Sequence, residues 1–238
     1  VSINYRLGPF GWFLHPALSE GSLPEDGSGN YGTLDIIKSL EWIKKNISSF
    51  GGDPGSVTIA GESAGAMNIL SLLTSPLAEG LFHRAVIQSG STRINSRETA
   101  IEASKALEER LAARDPALRK GSSSLKQKEE WTREETAAWL RSVKAKDIIN
   151  SLEAGTTGMT GWPTIIRDGH TLPEEGYEVF STGEYPSKVP VIIGTNRDET
   201  KLFLFFDKSL DWREEYYQAV GKYGSQFWRY EGMDSVAE

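Results

Sequence analysis

The segment that most constrains the fold is a short apolar run that ends in Gly61-Glu62-Ser63-Ala64-Gly65 and is followed by a second apolar run. Residues 57–60 are β-branched at three of four positions, which favours a buried strand. Residues 66–73 are apolar enough to form a packed helix. Because glycines stand close to Ser63 on both sides, the chain can reverse sharply there. We therefore predict a strand, a tight bend and a helix, with the serine hydroxyl projecting from the bend.

The predicted bend gives Ser63 an unusual chemical setting. The first turn of a helix carries N–H groups without intrahelical partners, and the positive end of the helix dipole lies beside them. Strand, Gly-x-Ser-x-Gly and helix in this order are typical of the nucleophile elbow of serine hydrolases. We expect Ser63 to be the nucleophile, the Ala64 N–H to be an oxyanion donor, and Gly61 and Gly65 to let the backbone pass closely. The alternative is a surface turn that contains a serine by chance, which the apolar flanks disfavour.

Five motifs in one order carry a family resemblance. They are Asn4-Tyr5-Arg6-Leu7-Gly8, Gly29-Asn30-Tyr31-Gly32, Phe50-Gly51-Gly52-Asp53-Pro54, Gly61-Glu62-Ser63-Ala64-Gly65-Ala66 and Gly80-Leu81-Phe82-His83-Arg84-Ala85. Together they resemble the type-B carboxylesterases, the cholinesterase-like branch of the α/β-hydrolases. The resemblance is dense over residues 1–91 and returns over residues 162–203.

The resemblance implies an α/β fold: a mostly parallel central sheet flanked by helices, with a helical cap insertion. We expect a single domain with four parts. Residues 1–95 form a core with the nucleophile elbow, 96–160 a helical insertion or cap, 161–206 a core with the acid strand, and 207–238 an incomplete helical end. The expected strands lie near residues 1–4, 57–60, 85–90 and 189–194, and a helix at residues 33–48. Asp35, near the start of that helix, is expected to complement the helix dipole. Thr132-Arg133-Glu134-Glu135 has the spacing of a capping box and predicts the start of another helix. Because Val1 falls inside a predicted core strand, the chain is expected to be an internal fragment, truncated at both ends.

The implied activity is hydrolysis of carboxylic esters through an acyl-enzyme, with a Ser-Glu-His triad. Glu199 follows a predicted strand, and active sites of open α/β sheets lie outside the carboxyl ends of the strands. It matches the Glu of the family's Asp-Glu-Gly, although Thr200 replaces the Gly. Asp198 is the competing acid, and an ion pair in a loop is the structural alternative. Glu62, beside the nucleophile, is expected to support the site electrostatically.

Two parts of the implied machinery are absent from the sequence. His15, His83 and His170 all precede Glu199, whereas the family order is serine, acid, histidine. His15 is expected in a loop, the resemblance implies a structural position for His83, and His170 is expected on the turn predicted at Asp168-Gly169. The His-Gly-Gly-Gly type of oxyanion loop is expected before Val1. The chain alone is therefore expected to be inactive. Met159 and Trp162 are expected either on the acyl side of the substrate pocket or in core packing.

Composition narrows the classes of partner. A net charge of −7 argues against nucleic acid and against anionic membrane surfaces. There is no cysteine, so a disulfide or a thiolate site is excluded. No apolar run approaches the roughly 18 residues that span a bilayer. We expect a small-molecule ester as the partner, with no cofactor and no metal, while the compartment is left open. The alternatives are a catalytically silent cholinesterase-like adhesion module, and a lipase or amidase on the same fold.

Overall fold

The computed structural model describes residues 1–19, 23–118, 130–153 and 161–199. The chain divides into two units: Val1–Glu153 with Gly161–Asn196, and Ala154–Thr160 with Arg197–Glu238. The following elements all belong to the first unit. The helices are α1 Gly8–Gly11, α2 Tyr31–Asn46, α3 Ala64–Thr74, α4 Arg97–Arg114, α5 Arg133–Ser142, α6 Ala145–Asn150 and α7 Val179–Thr182, and the strands are β1 Thr58–Glu62, β2 Arg84–Gln88 and β3 Val191–Gly194.

The three strands form a parallel sheet in the order β1-β2-β3. Thr58 of β1 lies opposite Arg84 of β2, and Ala85 lies opposite Val191 of β3. Because the strands are parallel, their carboxyl ends meet at one edge of the sheet. The predicted parallel sheet with flanking helices is thus confirmed, and the bend after β1 lies at that edge.

The helix after the bend is the most buried element of the first unit. Ile69, Leu72 and Leu73 of α3 are all less than 5% exposed. They belong to one apolar cluster with residues of α2 and β2, among them Ile37 and Ile87. Burial of such a side chain contributes about 1.5–3 kcal/mol, so this cluster fixes α3 against the sheet. The start of α3, and with it Ser63, is held by that packing.

Helix α2 differs from its predicted bounds and uses Asp35 differently. Instead of residues 33–48 it spans Tyr31–Asn46, and a 3-10 turn, Ile47–Phe50, tightens its end. Asp35 was expected to complement the helix dipole. It instead accepts hydrogen bonds from the Arg6 guanidinium, at 2.8 Å from Nε and 2.7 Å from the terminal nitrogen. These bonds hold the pKa of Asp35 below its usual range.

The expectation of buried strands was wrong in three places. Residues 1–4 form no strand, and Val1 is 87% exposed. Strand β1 alternates between exposed and half-buried positions. In β3, Ile192 and Ile193 are 71% and 66% exposed. Apolar letters predicted these strands, but burial needs covering elements on both faces and neighbours on both sides. Among the described residues, β1 and β3 each have one neighbouring strand.

The segment predicted as a helical insertion contains α4, α5 and α6 in its described part. Ser96 caps α4 by accepting a hydrogen bond from the Thr99 N–H. Thr132 and Glu135 form the capping box of α5 that the Thr-x-x-Glu spacing indicates. None of the helices in the described ranges has both the length and the apolar composition that a membrane crossing requires.

Candidate active site

Ser63 occupies a strained bend between β1 and α3. Its backbone angles are φ 53° and ψ −114°, a region that non-glycine residues rarely adopt. The Ser63 N–H donates to the Gln88 carbonyl at 2.9 Å, and the Met67 N–H donates to the Ser63 carbonyl at 3.0 Å. Ser63 thus takes part both in the hydrogen bonding between β1 and β2, through its N–H, and in the first hydrogen bond of α3, through its carbonyl. Ser63 is exposed, as the predicted elbow geometry requires.

The two glycines of the motif have different surroundings. A Cβ at Gly61 would lie 2.5 Å from the carbonyl carbon of Gly65 and 2.6 Å from its oxygen, so a side chain at Gly61 would collide with backbone. At Gly65, apart from its chain neighbours and the nearby backbone of α3 itself, no atom of the described residues lies within 4 Å of such a Cβ. The expectation that both positions are crowded was therefore wrong for Gly65. Its backbone makes the close contact, but its own α-carbon faces open space.

The start of α3 supplies N–H groups beside Ser63. Ala64 is the first residue of α3, and it is exposed. Its N–H belongs to the first turn, where helix geometry provides no acceptor. The Ser63 side chain makes no capping hydrogen bond to α3. The hydroxyl is therefore not used as a cap. Glu62, the last residue of β1, is exposed and adjoins Ser63 in sequence.

Polar residues follow β2 and β3 at the same edge of the sheet. Ser89, directly after β2, has a φ of 52°, and its N–H donates to the Gly194 carbonyl at 2.8 Å. The Asn196 amide donates to the Ser89 hydroxyl at 3.4 Å. Sequence reasoning missed Ser89 and Asn196, although both follow strand ends directly. Glu199 is partly buried and lies in the second unit, whereas Ser63 lies in the first.

His83 lies at the opposite end of β1 from Ser63. Its Nδ1 accepts a hydrogen bond from the Val57 N–H at 3.1 Å, just before β1 begins. From Val57 to Ser63 the chain advances six residues at about 3.3 Å each, which places roughly 20 Å between that point and the bend. His83 therefore anchors the start of the strand, which agrees with the structural role expected from the sequence.

His15 is a buried residue rather than a simple loop residue. It is 4% exposed, and its Nε2 lies 2.9 Å from Oε2 of Glu108 in α4. Its Nδ1 accepts from the Ala17 N–H at 3.1 Å. Since Nδ1 is an acceptor, Nε2 carries the proton and donates to the carboxylate. Both ring nitrogens are thus occupied. Sequence reasoning missed this pairing because 93 positions separate the two residues.

His170 lies on the predicted Asp-Gly turn. The Asp168 carboxylate accepts from the N–H groups of Thr171, at 3.2 Å, and Leu172, at 2.9 Å, and Gly169 has a φ of 79°. The His170 Nε2 lies 3.5 Å from a Glu25 carboxylate oxygen. Its ring is thus directed to the surface turn that contains Glu25.

Trp162 is held by aromatic packing. Its ring stacks on Phe13 with centroids 5.9 Å apart and planes 9° apart. Its Nε1 donates to the Trp12 carbonyl at 2.5 Å. These contacts agree with the packing alternative. Met159 lies outside the described residues, and so does every residue after Glu199.

The sequence of this chain matches a known protein family. The family model described as "Carboxylesterase family" matches residues 1–234 of the 238. The chain belongs to the carboxylesterase family. The predicted family and α/β-hydrolase fold class are thereby confirmed.

Named relatives of this carboxylesterase-family chain are esterases. It is 37% identical over 221 residues to the para-nitrobenzyl esterase of Bacillus subtilis (strain 168), which covers 90% of this chain and 40% of that protein. It is 36% identical over 203 residues to liver carboxylesterase 1 of Oryctolagus cuniculus, covering 84% and 33%. A solved PNB esterase structure superposes with a TM-score of 0.67 at 32% identity, covering 93% of this chain and 43% of that one. The chain thus spans about two fifths of the length of such relatives.

Proposed function

We propose that this chain is the nucleophile-bearing part of a serine carboxylesterase. The observation that carries the proposal is the bend at Ser63, with φ 53° and ψ −114°, an exposed side chain and the start of α3 beside it. A strained serine is maintained only where the surrounding structure fixes it, and such residues cluster at active sites. The similarity to para-nitrobenzyl esterase and liver carboxylesterase 1 supports carboxylic esters as the substrate class.

The proposed reaction proceeds in two halves. Ser63 Oγ bonds to the ester carbonyl carbon, and its proton passes to an imidazole base. The carbonyl oxygen becomes negatively charged and accepts from the Ala64 N–H. The alcohol leaves with the proton from the imidazolium, which gives an acyl-enzyme. Water then attacks the acyl carbon, returns a proton to Ser63 and releases the carboxylic acid.

The base of this reaction comes from outside the 238 residues. His15 has both ring nitrogens bonded, and His83 lies at the wrong end of β1. His170 is directed to Glu25 and precedes the acid in the chain. The isolated chain should therefore not turn over a short-chain nitrophenyl ester above the rate of its Ser63→Ala variant.

Glu199 is the proposed residue that orients the base. It follows β3 in the sequence, five residues after Gly194. Asp198 is the rival. In a longer protein that contains this chain, Glu199→Gln should lower kcat by several orders of magnitude, by analogy with the roughly 10⁴-fold loss in known triads. The matched Asp198→Asn should leave kcat within about tenfold. The reverse ranking would assign the acid to Asp198.

A fluorophosphonate probe tests the nucleophile in the same longer protein. Covalent labelling should occur in the wild-type protein and disappear in Ser63→Ala, while the matched Ser89→Ala variant still reacts. Absence of labelling in a folded wild-type protein would favour the silent binding module. Labelling with turnover of amides or long-chain triglycerides in preference to short esters would favour an amidase or lipase.

A further inference from the structure

The loop before α2 forms one wall of an apolar cavity with a volume of about 110 Å³. Pro9, Phe13 and Leu18 contribute this wall. The Phe13 ring is fixed by stacking on both sides, with its centroid 5.9 Å from that of His15 and 5.9 Å from that of Trp162. The wall is thus held in place without help from anything inside the cavity.

Three helices form the opposite wall. Leu107 and Leu111 of α4 are 1% and 5% exposed, and Leu140 of α5 is 8% exposed. Ile148 of α6 completes the wall. Helices α4 and α6 are tied together beside the cavity, because Arg110 of α4 donates to the carbonyl of Ser151, directly after α6, at 2.8 Å. The two walls leave an apolar space between them.

One charged residue beside the lining is paired away from the cavity with a residue of the loop. Glu108, between Leu107 and Leu111, bonds to His15 at 2.9 Å. All seven residues that line the cavity are apolar. The cavity is partly open to solvent, but its lining offers a bound water few hydrogen-bond partners, so it favours an apolar occupant.

We propose that this cavity is a binding site for a small apolar molecule, such as a short alkyl chain or a halomethane. The chemistry follows from the lining, and the size limit from the volume: a 150 Å³ apolar cavity accepts benzene or xenon, and this one is smaller. None of the lining residues belongs to the bend at Ser63, so the site does not depend on the proposed esterase activity. An occupant contacts Phe13 and, through the ring stack, changes the surroundings of Trp162.

Xenon is the probe that tests the site, applied to the full chain with labelled methyl groups. Methyl resonances of Leu107, Leu111 and Leu140 should shift several-fold more than those of Ile69 and Leu72, which belong to the other core cluster. The Trp162 indole N–H resonance should move with the same xenon dependence. Uniform small shifts, or none, would overturn the proposal.

Two neighbouring substitutions supply the control. Ile148→Phe fills the cavity and should abolish the selective shifts, whereas Ile149→Phe adds the same ring at a position that is 57% exposed and should leave them intact. Leu18→Phe fills the cavity from the opposite wall and serves if α6 does not tolerate the larger residue. Selective shifts that survive both filling variants would show that xenon binds elsewhere.

Discussion

At the scale of single residues, the strain at Ser63 separates stability from the proposed chemistry. A non-glycine residue in such a region costs about 1–3 kcal/mol, whereas glycine adopts it freely. We therefore expect the free energy of unfolding of Ser63→Gly to be about 1 kcal/mol higher than that of Ser63→Ala. This figure already includes the entropy that glycine loses on folding. Denaturant unfolding of the two variants measures this difference. Equal stabilities would mean that the bend stores no strain.

Tyr177 gives a second residue-scale prediction. Burial raises its pKa to about 12, against an ordinary value near 10. The folded state therefore holds the phenolic proton more tightly than the unfolded state. The stabilisation that comes from the raised pKa of Tyr177 is complete below pH 10. As the pH rises towards 12, the free energy of unfolding falls by about 2–3 kcal/mol.

The Tyr177→Phe variant isolates that effect. It removes the hydrogen bond between Tyr177 and Ser71, which costs about 1 kcal/mol at neutral pH. Ser71 still donates to the Met67 carbonyl, at 3.1 Å. The free energy of unfolding of the wild type minus that of the variant, measured with urea, should fall from about +1 kcal/mol through zero to a negative value between pH 10 and 12. A difference that stays constant over this range would contradict a raised pKa.

At the scale of elements, the features that could be predicted from the sequence are those that depend on neighbouring residues in the chain. The bend at Ser63 and the capping box of α5 each depend on a few consecutive residues, and the structure contains both as predicted. The burial of β3 was mispredicted because its apolar letters carry no information about what covers them. The His15–Glu108 pair and the cavity beside it depend on loop and helix meeting across the sequence, which no local pattern indicates.

The capping box gives a prediction for α5. Thr132 accepts from the Glu135 N–H at 3.2 Å, and the Glu135 carboxylate accepts from the Thr132 N–H at 2.6 Å. Thr132→Ala should lower the free energy of unfolding by about 1 kcal/mol. Thr136→Ala removes a hydroxyl bonded to a carbonyl within the helix and should cost less than half as much. Similar losses in calorimetric unfolding would contradict a capping role.

At the scale of the whole molecule, hydrogen bonds join segments that are far apart in the sequence. The Asn30 amide donates to the Ile166 carbonyl at 2.6 Å and accepts from the Ile166 N–H at 2.9 Å, across 136 positions. The buried Asn30 side chain thus bonds to both backbone groups of Ile166, as a neighbouring strand would. The motif that contains Asn30 was recognised by resemblance, but its partner could not be predicted, because pairing at such separation follows only from the folded topology.

The open edge of β3 predicts how the isolated chain behaves. Ile192 and Ile193 are exposed on opposite faces of a strand that has one described neighbour. Exposed apolar edge strands favour association between chains. Ile192→Lys should therefore raise the concentration at which light scattering appears, whereas Lys188→Arg, also exposed and just before β3, should not. Unchanged scattering in Ile192→Lys would exclude this edge as the cause.

The unequal surroundings of Gly61 and Gly65 have a consequence for laboratory evolution. A library randomised at both codons and sorted only for folded protein should retain glycine at 61, where any Cβ meets backbone at 2.5 Å. Codon 65 should drift to alanine or serine, because open space surrounds it. If a second round, sorted for turnover in a longer protein that contains this chain, restored glycine at 65, we would infer that a substrate needs this space. Folding would then select glycine at 61, and turnover would select it at 65.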